Sequence, residues 1–339
     1  MKLVSYLHEH QDSLGVLIDN RVYNMEYLHP DLPTTMSLFL TYWEEVFAVA
    51  QAGVAMIEEG KIAQGKGIDL ATLQLLAPVP YPTSCRDAYA FSAHVAAARR
   101  NRNTDMIPEF YQYPVFYFTN HHSISGPGAV ECMPDHFEKL DFELEVAIVI
   151  CKGGRNIQAG EADEYIGGLM IMNDLSARTL QMEEMLLNLG PAKGKDFATT
   201  LGPWLVTLDD LEAYEVPPKE GHTGKAWNLP MICTVNGIKV SAGNMNSMDW
   251  TFAEIIERAS YGVELHPGDV IGSGTVGTGC FLELNGTGKL NDPAFTAQWL
   301  KEGDSVEMEV EGLGVLNNTI VAAETNWSIL QQKKNGSQG

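Results

Sequence analysis

Apolar and polar positions alternate in short stretches along most of this chain, and one long stretch near the start takes a helical period instead. Residues 3–7 and 15–23 read as short strands around a polar turn, a hairpin by pattern. Over residues 35–59, the run SLFLTYWEEVFAVAQAGVAMIEEG sets apolar side chains at helical spacing, and Gly60 marks its stop. Residues 1–72 are therefore expected to form a small domain of strands plus helix without evident chemistry. The segment LLAPVPYPTS (75–84), with its three prolines, reads as a linker or domain entrance.

Beyond it, short β-type runs recur: PVFYFT (114–119), FELEVAIVI (142–150), GLMIMND (168–174), PWLVTL (203–208), DVIGSG (269–274), FLEL (281–284) and SVEMEV (305–310). Asn236-Gly237 between MICTV and IKVSA is a hairpin signal. Helical stretches are few, about 92–102 and 252–260. Residues 73–330 are thus expected to form a β-rich α+β domain with strands paired mostly by hairpins. The polar tail QQKKNGSQG (331–339) is expected to be disordered.

Composition narrows the function classes. Of 339 residues, 44 are acidic and 22 basic, a formal net charge of −22. Such a surface repels nucleic-acid phosphates and anionic lipids, so neither is an expected partner. It also repels an anionic substrate, so an acid-binding pocket needs a local positive field. Five scattered cysteines without a CxxC fit reduced thiols rather than a disulfide framework or a zinc site. The start MKLVSYLHEHQDS turns polar too early for a signal peptide, and no apolar run nears the ~18 residues that span a membrane. The expected compartment is the cytoplasm.

The chemistry concentrates in acidic positions. In LDFELEVA (140–147), residues two apart share a strand face, so Glu143 and Glu145 are expected to project together. Adjacent like charges repel unless a cation sits between them; the bland alternative is a solvated acidic face. Asp174 ends the apolar run GLMIMND, at a strand terminus, and Asp87 precedes a short helix beginning near His94. Together, Asp87, Glu143, Glu145 and Asp174 would make an all-oxygen cage for a hard cation, Mg²⁺ or Ca²⁺. Gly272-Ser-Gly-Thr-Val-Gly277 matches GxGxxG, but CFLELNG after it reads as β-like, so no dinucleotide-binding unit is expected. Its glycines are expected to let the backbone approach a substrate.

Taken in order, DAYAFSAH (87–94), YPVFY (113–117), LDFELEVA (140–147), MNDLSARTLQ (172–181), LGPAKGKDFATTLGPWLV (189–206), GSGTVG (272–277) and LEL (282–284) resemble the fumarylacetoacetate hydrolase family. The resemblance implies a mixed β-roll for the large domain and a homodimer. It implies that Asp87, Glu143, Glu145 and Asp174 ligate a catalytic Mg²⁺, Ca²⁺ or Mn²⁺, and that Lys195 and Thr199 lie at a second, structural cation site. His94 would be the general base and Glu283 its orienting partner. Arg178, Gln181 and Lys195 would stabilise an oxyanion, while Tyr89, Tyr117, Thr275 and Arg102 would contact substrate.

Two positions depart from the family pattern. Asn103 stands where fumarylacetoacetate-cleaving members place an arginine, with Arg99, Arg100 or Arg102 as substitutes, and Met185 stands at a substrate-contacting tyrosine. The implied reaction is hydrolysis of the carbon–carbon bond in a small anionic β-diketo acid, such as fumarylacetoacetate or an acylpyruvate. The alternatives are a 2-keto acid decarboxylase, hydratase or isomerase on the same scaffold, and a non-catalytic cation-binding protein.

Overall fold

The computed structural model describes residues 1–334. Among the described residues, fourteen strands of four or more residues organise the fold: β1 (Lys2–His8), β2 (Gln11–Ile18), β3 (Arg21–Asn24), β4 (Ser84–Ala88), β5 (Phe116–Thr119), β6 (Gly128–Cys132), β7 (Leu144–Ile150), β8 (Ile166–Asp174), β9 (Thr199–Val206), β10 (Pro230–Val235), β11 (Ile238–Asn244), β12 (Asp269–Gly272), β13 (Ser305–Val310) and β14 (Gly314–Ala322). The main helices are α1 (Met36–Thr41), α2 (Trp43–Glu58), α3 (Ser92–Arg100), α4 (Arg178–Met185), α5 (Phe252–Ser260) and α6 (Phe281–Asn291).

The larger sheet runs β3-β2-β1-β9-β8-β7-β12-β4-β5, all antiparallel except the β12–β4 pair, and it does not close into a barrel. A five-stranded sheet, β11-β10-β13-β14-β6, packs against it. The architecture is α+β and sheet-rich. The N-terminal strands extend the same large sheet through the β1–β9 pairing.

Strands β7 and β8 are apolar without a break because both faces of the large sheet are covered, and every residue of each is buried. Leu144, Val146, Ile148 and Ile150 face the five-stranded sheet. Ala147 and Val149 face the opposite way, toward Phe39, Leu40 and Ala50 of α1 and α2.

Several local signals behave as the pattern predicts. Asn236 and Gly237 take positive φ (53° and 74°) in the two-residue turn between β10 and β11. Gly60 ends the helical stretch at φ 69°, and the helix expected over about 252–260 forms as α5; a capping box of Thr251 with Glu254, not read from the sequence, opens it.

The FLEL run is a correction: residues 281–284 open helix α6 rather than forming a strand. Its capping group comes from far away in sequence, since the Asp141 carboxylate accepts from the Phe281 and Leu282 N–H groups. Helix α4 likewise went unread in RTLQMEEM. Of the tail, Leu330–Gln332 form a 3₁₀ turn, and 335–339 lie outside the described residues.

Candidate metal centre and active site

Three strands of the large sheet end in carboxylates that share one face. Glu145 continues the row of Ala147 and Val149, Asp174 that of Met170 and Met172, and Asp87 that of Cys85. Strand β12 lies between β7 and β4, and Gly272 sits there opposite both Ala147 and Asp87. A Cβ on Gly272 would meet Asp87 Oδ1 at 2.5 Å and Met172 Sδ at 2.8 Å. The missing side chain leaves the gap through which the carboxylates converge.

One oxygen from each of Asp87, Glu145 and Asp174 lies within 4.8 Å of the others, and all three residues are buried. Burial, then the charge of Asp174, pushes the Asp87 carboxyl up to about 8. Burial and the neighbouring carboxylates push Glu145 well above the ordinary carboxylate range. Glu145 Oε2 is buried with no hydrogen-bond partner, while Oε1 accepts from Thr275 Oγ1 at 3.1 Å. Crowded carboxylates with an orphaned oxygen are a donor set with more negative charge than its neighbours balance, and an oxygen-preferring divalent cation fits it.

Glu143 lies beside this trio with partners of its own. It precedes β7, and its carboxylate accepts from Lys195 Nζ and from Arg178 Nη2, the latter at 2.7 Å. Burial alone would raise its pKa, but Lys195 and Arg178 outweigh burial and hold it down at about 2. Lys195 also donates to Asp174 at 2.8 Å, so one ammonium joins Glu143 to the trio. Tyr117 donates to Asp174 as well, and Thr199 Oγ1 stands 3.4 Å from Asp174 Oδ1.

On the other side of Glu143, a His94 ring nitrogen lies within 4.8 Å of a Glu143 oxygen and of Cys280 Sγ. His94 Nδ1 is 2.8 Å from Glu283 Oε2, with both residues at least nine-tenths buried. Helix α3 carries the histidine and α6 the glutamate, so two separate elements build the pair. Tyr89 packs edge-on against His94 at 5.8 Å between ring centres.

These groups open on a cleft of about 860 Å³ lined by His94, Glu143, Arg178, Gln181, Lys195, Tyr89, Tyr117 and Thr275. Arg102 and Arg99 line it too, whereas Asn103 does not; Met185 does. Sequence reasoning missed Lys139 and Lys289 at the same cleft. Among the described residues, Arg102, Lys139 and Lys289 form no ion pair, although the chain carries twice as many acidic as basic side chains.

A helix does follow the GxGxxG run, correcting the β-like reading of CFLELNG. No phosphate cradle results, because the first N–H groups of α6 donate to Asp141 and that of Thr278 to Glu283. The glycines serve close packing of backbone on backbone: a Cβ on Gly274 would lie 2.5 Å from the Ala88 carbonyl oxygen. No helix among the described residues is long and apolar enough to cross a membrane.

Comparison with known proteins follows the same residues. A family model described as the fumarylacetoacetate hydrolase C-terminal domain matches residues 83–321. A human mitochondrial oxaloacetate tautomerase is 32% identical over 332 residues, covering 95% of this chain and 92% of that protein. A fumarylacetoacetase from Oryza sativa is 32% identical over 254 residues, covering 61% of this chain and 58% of that protein. Among solved structures, a maleylpyruvate hydrolase from Sphingobium, in complex with manganese(II) and pyruvate, superposes with a TM-score of 0.68 at 19% identity. That match covers 96% of this chain and all of the other.

Proposed function

This chain belongs to the fumarylacetoacetate hydrolase family, and from that premise we propose that it is a divalent-metal-dependent hydrolase cleaving a carbon–carbon bond in a small β-diketo acid. The substrate class is that of fumarylacetoacetate or an acylpyruvate. The observation that carries this reading is the buried His94–Glu283 pair, which opens on the same cleft as Asp87, Glu143 and Lys195. Water is a far weaker acid than a C–H flanked by two carbonyls. Hydrolysis is therefore the reaction that most needs a base with a carboxylate behind it.

Asp87, Glu145 and Asp174 would hold the cation, with Glu143 as the fourth carboxylate beside them. A divalent cation held there, Mg²⁺, Mn²⁺ or Ca²⁺, would supply Lewis-acid polarisation to a dicarbonyl substrate and so favour an enolate leaving group. His94 Nε2 takes a proton from water while Glu283, on Nδ1, balances the charge that the ring acquires. The hydroxyl oxygen bonds to the carbonyl carbon, and Arg178, Gln181 and Lys195 line the side of the cleft where the oxyanion forms. The C–C bond then breaks with its electron pair on the departing carbon. His94 returns the proton there, leaving a carboxylic acid and a methyl ketone or keto acid. Tyr89, Tyr117 and Thr275 bound the substrate, and the unpaired Arg102, Lys139 and Lys289 supply the local positive field that attracts an acid to this anionic protein.

A second reading, keto–enol tautomerisation of a 2-oxo diacid, draws support from the tautomerase relative that matches nearly end to end. The two part on the fate of water oxygen. Turnover in ¹⁸O-water under the hydrolase reading places one ¹⁸O in the newly formed carboxylate. Deuterium exchange at carbon with no new acid would establish the tautomerase instead.

A further inference from the structure

We infer that Asp141 is a positioning residue that sets the base and the oxyanion-binding arm from one buried carboxylate. This rests on the reading of His94 as base. Asp141 is fully buried and stands beside the cleft residues without lining it. Its Oδ1 accepts from Phe281 N–H at 2.7 Å and its Oδ2 from Leu282 N–H at 2.9 Å. Those are the first two N–H groups of α6, whose N-cap residue Cys280 contributes no side-chain bond. A carboxylate at that point neutralises the orphan donors and the positive end of the helix dipole.

Glu283 is the next residue of α6, and its two oxygens are both engaged, Oε2 by His94 Nδ1 and Oε1 by Thr278 N–H at 2.9 Å. The place of the α6 first turn therefore decides where Glu283, and through it the His94 ring, can sit. On its other side, Asp141 Oδ2 accepts from Arg178 Nε at 2.9 Å, and Nη2 lies 2.8 Å away as the closest ion-pair contact. Of the other guanidinium nitrogens, Nη2 donates to Glu143 Oε1 at 2.7 Å and Nη1 to Gln181 Oε1 at 2.9 Å. Arg178 is thus aimed by Asp141 and cannot turn without leaving that carboxylate buried and unpaired. One group anchors two arms that reach the cleft from α6 and from α4.

The test is a double-mutant cycle on the Mg²⁺-loaded full chain with Asp141→Asn, Glu283→Gln and both together. Asp141→Asn is expected to lower kcat by about 10–100-fold while KM and the Mg²⁺ dissociation constant stay within about twofold. In the Glu283→Gln background the same change should cost clearly less than it does alone, because its effect through Glu283 is already lost and only the Arg178 arm remains to be disturbed. Independent, multiplying losses would overturn the proposal, as would full kcat with only a lowered Tm. Should Asp141→Asn fail to fold, Asp141→Glu keeps the charge at the wrong reach and should show the same coupling with a smaller loss. A readout free of turnover is the ¹H–¹⁵N signal of the His94 ring, assigned by its loss in His94→Gln. Asp141→Asn must move that signal; an unmoved signal sinks the inference even if no tested substrate is cleaved, whereas a flat assay of the native protein alone counts against the hydrolase reading.

Discussion

Asp87, Glu145 and Asp174 crowd together in a buried site, so each ionisation makes the next harder. The Asp87 carboxyl holds its proton up to about 8, against an ordinary 3.8, so between those values the folded chain binds more protons than the unfolded one. Stability of the metal-free protein should therefore fall as pH rises from about 4 to about 8, and bound Mg²⁺ should flatten that slope. Urea unfolding at pH 5 and pH 8, with chelator and with Mg²⁺, checks both parts; a metal-free protein more stable at pH 8 refutes them. By the same linkage Mg²⁺ binding releases protons, and affinity should drop at least about tenfold from pH 8 to pH 6 in calorimetry. His94 answers to a different measurement. His94→Ala should lower kcat by about 10²–10⁴-fold with Mg²⁺ affinity unchanged, whereas Glu145→Gln should weaken both. Equal loss of metal affinity in the two variants would remove His94 from the role of base.

At the scale of elements, the glycine on β12 matters as much as the acidic side chains around it. Gly272→Ala would drive a methyl into Asp87 Oδ1 and Met172 Sδ. It should weaken Mg²⁺ binding by about tenfold or more and cost about 1–3 kcal/mol of stability. Unchanged Mg²⁺ affinity in that variant would show that the gap has no part in gathering the carboxylates. The strands β7 and β8 were legible in the sequence because burial on both faces writes an unbroken apolar run. The β10–β11 hairpin was legible because only a few residue pairs tolerate two positive φ values in succession. Helix α6 was not: Gly286 and Gly288 dilute its helical signal, and its cap is a carboxylate 140 residues earlier. The individual acids of the site were visible, but the pairing of Glu143 with Lys195, 52 residues on, depends on how β9 and the turn at Ala192–Lys195 return to the sheet. Strand period alone joins Glu143 to Glu145; in the fold Glu143 is ion-paired with Lys195 and Arg178, whereas Glu145 bonds Thr275 and sits with Asp87 and Asp174.

Over the whole molecule, a net charge of −22 surrounds a cleft edged by Arg102, Lys139 and Lys289. Beside that cleft, Leu186, Leu187 and Leu189 are 80–94% exposed, and the homodimer that the family resemblance implies is expected to cover this apolar edge. Light scattering of the native protein should give the dimer mass, and Leu187→Asp with Leu189→Asp should shift it to the monomer; a native monomer at micromolar concentration contradicts the dimer. The central claim, metal-assisted C–C hydrolysis, is tested most directly by following absorbance loss of fumarylacetoacetate and of a simple acylpyruvate with Mg²⁺, then with excess chelator, while quantifying the acids released. Metal-assisted hydrolysis predicts loss of at least one signal with equimolar release of two products, abolished by chelator. Absorbance that stays flat at high enzyme concentration with Mg²⁺ and Mn²⁺, or that settles to a keto–enol equilibrium with no acid released, would contradict it.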